Sequence, residues 1–286
     1  MRQAQSSAGQ ATQQAHQAVR DASPWLEGFG RCGYVAKSVV YTLVGVLAAQ
    51  AALGTGGTTT DARGALPQII QAPFGQVLLA ATAIGLVGYG LWRFIQAGMD
   101  TENKGANAQG LLTRGTYIII GVSHLVLALS ALQLLLGSDG DSSGGDSSAQ
   151  DRTAWLLSQP FGQWLVGLVG VVVIGVGLYQ WYQAYSSKFR DQLKLAEMSS
   201  TQQRWATRLG RLGFAARGVV FGIVGSLLIA AAIHAEPQEV RGLGGALTTL
   251  AEQPFGSWLL GVLAVGLIAY GVYVLVEARY RRMVIR

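Results

Sequence analysis

The chain has 286 residues, of which half are hydrophobic and only 13% are charged. A soluble domain usually carries about 25% charged residues, so this composition excludes an ordinary globular protein and favours a membrane protein. The single cysteine, Cys32, excludes an intrachain disulfide and a cysteine-rich metal site. The formal charge of +6 could suggest nucleic acid, but its distribution along the chain indicates a lipid bilayer and no nucleic acid partner.

Residues 1–30 form a polar arm that is rich in alanine and glutamine. Its alanines recur at alternating spacings of four and three residues, up to Ser23 and Pro24. This spacing predicts an amphipathic helix with one stripe of small residues. A surface helix and a coiled coil both fit the pattern.

Six segments are long and apolar enough to cross the hydrocarbon core as helices. They are roughly 34–53, 74–97, 112–136, 161–185, 214–234 and 255–276. The sequence therefore predicts an all-α polytopic membrane protein, built from three tandem two-helix hairpins. The predicted hairpins are 31–100, 108–189 and 208–283. Between the last two, the basic linker 190–207 predicts amphipathic helices that lie on anionic lipid headgroups.

Three Pro-Phe-Gly sequences open the even-numbered spans. They are Pro73-Phe74-Gly75, Pro160-Phe161-Gly162 and Pro254-Phe255-Gly256. Proline in the first turn of a helix costs no hydrogen bond and presets φ, so we expect each proline to start its helix at the outer surface. Because glycine, aromatic and Gln/Glu residues follow at equal offsets in all three copies, we predict parallel repeats related by a pseudo-threefold axis.

The odd-numbered spans also match when Gly33, Gly110 and Gly213 are aligned, because a cation follows four residues later in each copy. The two helices of a hairpin run antiparallel, so each cation should lie level with the end of the second helix. An uncompensated charge there is costly, which predicts polar contacts at the cytoplasmic end. The predicted pairs are Lys37 with Gln96, Arg114 with Gln183, and Arg217 with Glu277. Each cation reaching lipid phosphate by itself is the alternative.

Lysine and arginine are segregated between the two sides of the predicted membrane. Eighteen lie on the side of the termini and three on the other side, which places both termini in the cytoplasm. The three outer cations are Arg63, Arg152 and Arg241, and each follows an acidic residue. Local ion pairs explain them, and a ring of arginines that receives an anion is the functional alternative.

The Pro-Phe-Gly openings, the late glycine-aromatic stretch and the three tandem hairpins resemble a bacterial membrane family catalogued as a domain of unknown function (number 1206 in that series). The resemblance covers about 31–283. It implies a multi-pass protein of the bacterial plasma (inner) membrane, and it brings no catalytic residues with it.

Motifs of nucleotide-binding proteins, hydrolases and metalloproteases are absent, so we predict no enzyme, no metal and no cofactor. His124, near the middle of the third span, is the one candidate for cofactor binding or proton transfer. A neutral histidine hydrogen-bonded inside the bundle is the alternative, and the repeat would place Leu47 and Leu227 near the matching positions.

The sequence favours a non-catalytic membrane interaction or scaffold component with the bilayer and a membrane protein as partners. A conduit or transporter for a small solute or anion is the alternative.

Overall fold

A computed structural model describes residues 27–28, 30–71, 74–99, 107–137 and 145–282 of the chain. Within these ranges the chain forms helices and no β-strand, which confirms the all-α prediction. In chain order the helices are α1 (Gly30–Ala52), α2 (Leu66–Ile70), α3 (Gly75–Met99), α4 (Ala108–Leu135), α5 (Gly145–Leu157), α6 (Gly162–Ser186), α7 (Ser200–His234), α8 (Leu243–Ala251) and α9 (Gly256–Tyr280). Almost all of the predicted N-terminal arm lies outside the described residues.

Six of these helices, α1, α3, α4, α6, α7 and α9, are long and apolar enough to cross a membrane, which confirms the six predicted spans. The short helices α2, α5 and α8 and their flanking loops pack together at one end of the bundle, which we call the loop end. The opposite end, where α1 begins and α9 ends, is the terminal end.

The helices do not close into a threefold ring. Neighbouring helices follow the order α4, α3, α1, α9, α7, α6, with α1 held between α3 and α9. The two long helices of the second repeat, α4 and α6, make no extended contact with each other through their described residues. Only 17% of the apolar window of α4 and 22% of that of α6 are buried in the protein, against 50–56% for α1, α3 and α9. The second hairpin is therefore open.

A valine in the second repeat accounts for the open hairpin. A Cβ atom on Gly85 would lie 2.7 Å from the Cβ of Ala36, and one on Gly266 would lie 2.4 Å from the Cβ of Ala216. Small residues permit such close approach of two helix backbones in a membrane. The second copy has Val172 at this position, and its side chain is exposed. We infer that Val172 keeps α6 from packing as closely against α4 as the two helices of each other hairpin pack against one another.

An arginine at the terminal end of each odd-numbered span (α1, α4 and α7) binds the carboxyl end of a neighbouring even-numbered span (α3, α6 or α9). The hydrogen bonds run from Arg31 to the carbonyls of Ala278 and Arg279 (2.8 and 2.6 Å), from Arg114 to those of Ala97 and Gly98 (2.5 and 3.2 Å), and from Arg211 to that of Tyr185 and to Ser187 Oγ (3.4 and 2.8 Å). Positive charge at a helix carboxyl end complements the unpaired carbonyls and the helix dipole. The same contact therefore joins successive repeats, and α9 to α1, in all three places.

Arg114 thus corresponds to Arg31 and Arg211, and the alignment through Gly110 is wrong by six residues. The glycine contacts show the same displacement. Gly90 packs against Gly121 in the way that Gly177 packs against Gly218 and Gly271 against Ser38. In the corrected register Tyr117 matches Tyr34 and Phe214, whereas His124 matches Tyr41 and Phe221. The predicted pair of Arg114 with Gln183 is wrong for this reason, and Gln183 donates instead to Tyr179 Oη.

The Pro-Phe-Gly sequences form tight turns before the helices, so the prediction that proline lies in the first helical turn is wrong. Each helix begins at the glycine, and Phe74, Phe161 and Phe255 have left-handed φ angles of 57°, 64° and 61°. The N–H of Gly162 donates to the Gln159 carbonyl (2.9 Å), which places Pro160 second in a four-residue turn. Pro73 lies outside the described residues.

The predicted linker helices are replaced by two different structures. Ser199 and Gln202 form a capping box that starts α7, a single helix of 35 residues, so the later part of the linker continues into the fifth span. The earlier part, residues 188–198, is a strap of short 3-10 turns. Phe189 and Leu193 of this strap are buried against the bundle rather than lying on lipid, because they complete an aromatic cluster with Tyr273.

Candidate functional site

An open groove of about 600 Å³ lies between α1, α3, α4 and the loop end. Its apolar wall includes Val40, Leu86, Val122, Val126 and Leu127. Its polar groups are Lys37, Tyr41, Asp61, Arg63, Ser123, His124 and Arg152. This volume lies within the usual range of about 300–1,000 Å³ for small-molecule sites, and the mixture of an apolar wall with a few polar groups is typical of them.

Lys37, at the deep end of the groove, is a buried cation among aromatic rings. Its Nζ donates to Tyr89 Oη (3.1 Å) and lies 5.1, 5.9 and 5.5 Å from the ring centroids of Tyr89, Tyr41 and Tyr270. Among the described residues, no carboxylate pairs with it. A buried ammonium group is costly without a partner, and cation–π contacts of about 2 kcal/mol each offset only part of that cost. Lys37 is therefore suited to receive an anion.

Two further cations, the buried Arg93 and the half-buried Arg217, surround the same tyrosines. Arg93 donates to Tyr89 Oη (2.6 Å), and Arg217 donates to Tyr270 Oη (2.6 Å). The part of the chain that the structure describes gives neither of them a carboxylate partner in an ion pair. Lys37 lies between the two tyrosines, so three positive charges share one buried region. The resulting field favours a negatively charged ligand.

The predicted contacts at the ends of the hairpins take another form. Lys37 and Gln96 are linked through Tyr89 and then Arg93, which donates to Gln96 Oε1 (2.8 Å). In the third repeat, Arg217 binds Tyr270, and Glu277 accepts a hydrogen bond from Arg281. In both repeats the hydrogen-bond partner that the structure shows for the cation is a tyrosine on the second helix, and the direct contacts with Gln96 and Glu277 stay predictions.

Sequence reasoning missed these two tyrosines. Tyr89 and Tyr270 occupy the same position in the first and third repeats, sixteen residues after the proline of Pro-Phe-Gly, and their backbones pack against Gly33 and Gly213. The second repeat has Val176 at this position. A valine has no hydroxyl group, so the second repeat cannot form this contact. A tyrosine at this offset in two of the three copies was the signal that could have identified Tyr89 and Tyr270 from the sequence.

His124 lies on the wall of the groove and is partly satisfied within its own helix. Its Nδ1 is 2.8 Å from the Ile120 carbonyl, and its ring centroid is 4.5 Å from that of Tyr89. Among the described residues, no group of three His, Cys, Asp or Glu side chains is placed to hold a metal ion. The geometry fits the alternative of a hydrogen-bonded histidine and makes His124 a polar group of the groove.

The structure brings together two of the three predicted outer arginines. Arg63 and Arg152 both line the groove near the loop end. Arg241 lies elsewhere, where it donates to Thr249 Oγ1 (3.3 Å) and approaches Glu252 (3.9 Å). The groove therefore brings together two of the three arginines of the predicted ring, and Arg241 has partners of its own in the third repeat.

The repeat architecture has a counterpart in known sequences. A family model described as a domain of unknown function, DUF1206, matches residues 32–100, 115–187 and 212–281. The three matches begin directly after Arg31, Arg114 and Arg211, in agreement with the corrected register. An uncharacterized protein of Bacillus subtilis (strain 168), YxxB, is 37% identical over 92% of this chain and 94% of its own length. No solved structure matches. The chain therefore belongs to the membrane protein family defined by the domain of unknown function DUF1206.

Proposed function

We propose that this protein is not an enzyme and that it binds an organic anion in the groove, as the binding site of a membrane conduit. The observation that carries the proposal is the buried ammonium group of Lys37, which faces the groove without a carboxylate partner among the described residues. Of the functions that the sequence left open, a conduit for an anion gains most from this geometry.

The chemistry of the wall favours an organic ligand over a bare inorganic ion. Leu86, Val126 and Leu127 offer apolar contact, whereas the cations lie at the two ends of the groove, with Lys37 at the deep end and Arg63 at the loop end. A ligand with an apolar body and an anionic head would bury hydrocarbon against the wall and place its charge beside Lys37. A free anion or the headgroup of a lipid could supply this chemistry.

The charge distribution supports an orientation for the groove. Most lysines and arginines lie at the terminal end, so we place that end in the cytoplasm of a bacterial inner membrane and the groove towards the outside. A second cleft, at the terminal end, is lined by Arg190, Arg204, Arg208 and Arg211. Guanidinium groups bind phosphate well, so we assign anionic lipid headgroups to this cleft.

Binding of radiolabelled benzenesulfonate to protein in phosphatidylcholine nanodiscs tests the proposal. We expect Lys37→Met to weaken binding by at least about 30-fold, since losing a buried charge partner costs about 2 kcal/mol or more. Lys194→Met is the matched control, because Lys194 is partly exposed, lies outside the groove and pairs with Glu197. This control should bind like the unchanged protein.

Three outcomes separate the alternatives. Equal affinity of Lys37→Met and Lys194→Met for benzenesulfonate would overturn the site. Inorganic phosphate binding more tightly than benzenesulfonate would overturn the assignment to an organic ligand. If anionic phosphatidylglycerol in the nanodisc displaces benzenesulfonate from the protein, and the displacement is lost in Arg63→Gln, the ligand is a lipid headgroup.

A scaffold function is the second candidate, and the open second hairpin favours it. The facing helices α4 and α6 expose apolar side chains such as Val172 and are the least buried of the spans. A partner helix could pack there. A photo-crosslinking amino acid at Val172 should then yield one protein adduct of defined mass in native membranes, whereas the same probe at Val265, an exposed residue of α9, should yield lipid adducts only. Lipid adducts alone at both positions would exclude the scaffold function.

A further inference from the structure

Four buried polar atoms on α1, α3 and α9 near the terminal end have no hydrogen-bond partner within the described part of the chain. They are Tyr34 Oη, Trp92 Nε1, Arg93 Nε and Tyr273 Oη. The side chains of Tyr34, Trp92 and Tyr273 belong to one buried cluster. Buried polar groups in proteins are nearly always paired with protein, water or ligand, so four unpaired atoms in one region indicate a missing partner. The N–H groups of Trp92 and Arg93 can only donate, so this partner must accept hydrogen bonds.

These residues form what we call the inner polar cluster, together with the ion pair of Arg281 and Glu277. The guanidinium of Arg281 lies 5.2 Å from the ring centroid of Tyr34. Arg93 and Arg281 carry two positive charges, and Glu277 carries one negative charge, so the cluster is net positive. A small anionic group, or water that solvates it, has the chemistry to satisfy the unpaired donors.

The inner polar cluster is continuous with the deep end of the groove. Tyr89 joins the two, since its hydroxyl accepts from Lys37 on the groove side and from Arg93 on the cluster side. The rings of Tyr89 and Tyr34 meet edge to face, with centroids 5.1 Å apart. A line of polar groups therefore leads from the groove, through Tyr89, towards the terminal end.

The strap, residues 188–198, covers the terminal side of the cluster. Phe189 packs edge-on against Tyr273, with ring centroids 5.1 Å apart, and Leu193 is fully buried opposite Arg281. Two backbone hydrogen bonds fix the strap to the end of the chain. They run from Lys194 N to the Tyr280 carbonyl (2.7 Å) and from Arg282 N to the Gln192 carbonyl (2.9 Å). Phe189, Leu193 and Met198 of the strap are buried, so its release exposes apolar side chains. The strap is a segment of 3-10 turns between α6 and α7, so it can move without breaking a membrane-spanning helix.

We propose that the inner polar cluster is a second binding position for the anion of the groove and that the strap is the gate between this position and the terminal end. The inference rests on the proposed function, because the groove must first bind the anion. The structure then corresponds to a state that is open at the groove and closed by the strap. Release at the terminal end requires the strap to leave Tyr273 and Arg281.

A reversible cross-link tests the gate. Gln192 and Arg282 face each other across the backbone pairing, at the spacing that a disulfide can bridge. Gln192→Cys with Arg282→Cys, in a Cys32→Ala background, should form a disulfide that locks the strap. Radiolabelled benzenesulfonate, whose sulfonate stays ionised, is then loaded into liposomes that contain the full-length protein. On oxidation we expect its flux to fall at least about tenfold while its affinity for the groove changes less than about twofold, as for any gate that lies beyond the binding site.

The reduced protein and a second cross-link are the controls. Reduction with dithiothreitol should restore the flux. The hydroxyl oxygens of Thr59 and Thr248 are 2.6 Å apart at the loop end. Thr59→Cys with Thr248→Cys should therefore form a disulfide there without slowing the flux. Unchanged flux through the locked strap would overturn the gate. Benzenesulfonate that binds the groove without any flux would overturn the inner position together with the conduit, and would leave the groove as a binding site. Absence of binding altogether would overturn the proposed function instead.

Discussion

Gly85 of α3 and Gly175 of α6 give opposite expectations for the same substitution to alanine. A Cβ atom on Gly85 would lie 2.7 Å from the Cβ of Ala36 and 2.9 Å from the carbonyl oxygen of Cys32. Both distances are too short for van der Waals contact, so Gly85→Ala must push α3 away from α1, at a cost of about 1–3 kcal/mol. A Cβ atom on Gly175 of α6 would have no atom of the described residues within 4 Å, so Gly175→Ala should be neutral or stabilising by up to about 1 kcal/mol.

The assay is unfolding in mixed micelles with increasing dodecyl sulfate, followed by tryptophan fluorescence. The two variants add the same methyl group to the same type of residue in corresponding helices, so their difference isolates the helix contact. We expect the free energies of unfolding to differ by about 1–4 kcal/mol, the sum of the overpacking and propensity effects. Equal stabilities would refute the close packing of α1 and α3 and, with it, the explanation of the open hairpin by Val172.

Three other expectations follow from the contacts and the charge distribution. Arg114→Gln should lower the free energy of unfolding by about 1–3 kcal/mol, because two carbonyls of α3 lose a charged donor; a change below about 0.5 kcal/mol, as expected for an ordinary surface residue, would contradict the corrected register. Phe161→Gly should be more stable in thermal unfolding than Phe161→Ala by about 1 kcal/mol, since both remove the ring but only glycine adopts the left-handed conformation freely; equal melting temperatures would count against strain in this turn. In a Cys32→Ala background, a cysteine replacing Ser143 should react with an impermeant thiol reagent added to intact cells, whereas one replacing Ser200 should not, and the reverse pattern would invert the proposed orientation.

The long apolar segments and the repeat were predictable from the sequence because each rests on many residues that agree. The register of α4 was not, because Gly110 and Arg114 imitate the glycine and cation of the other copies. The spacing of Arg114 and Tyr117 matches that of Arg31 and Tyr34 and favours the correct alignment. The importance of this arginine depends on a contact between two repeats, which the sequence of a single repeat does not reveal.

The same alignment error concealed the groove from sequence analysis. With the Gly110 alignment, the matching positions of His124 are leucines in the apolar interior, and no shared site is visible. With the register of the structure, His124 matches Tyr41, and both side chains line the groove near Lys37. Lys37 and Arg217 were predicted to pair with Gln96 and Glu277. The tyrosine that binds each cation lies seven residues, about two turns, before that glutamine or glutamate on the second helix.

The open second hairpin divides the protein in a way that its three repeats do not. A cut in the chain between α4 and α5 would leave two pieces with three spans each, and the central repeat would contribute one span to either piece. The seam between the pieces runs largely along α1 and α9, where Ser38 Oγ donates to the Gly271 carbonyl (2.7 Å) and Gly45 approaches Ile268. Two separately expressed polypeptides, residues 1–140 and 141–286, should therefore reassemble in the membrane along a single glycine-lined seam, as a two-part protein whose halves do not follow the repeat boundaries.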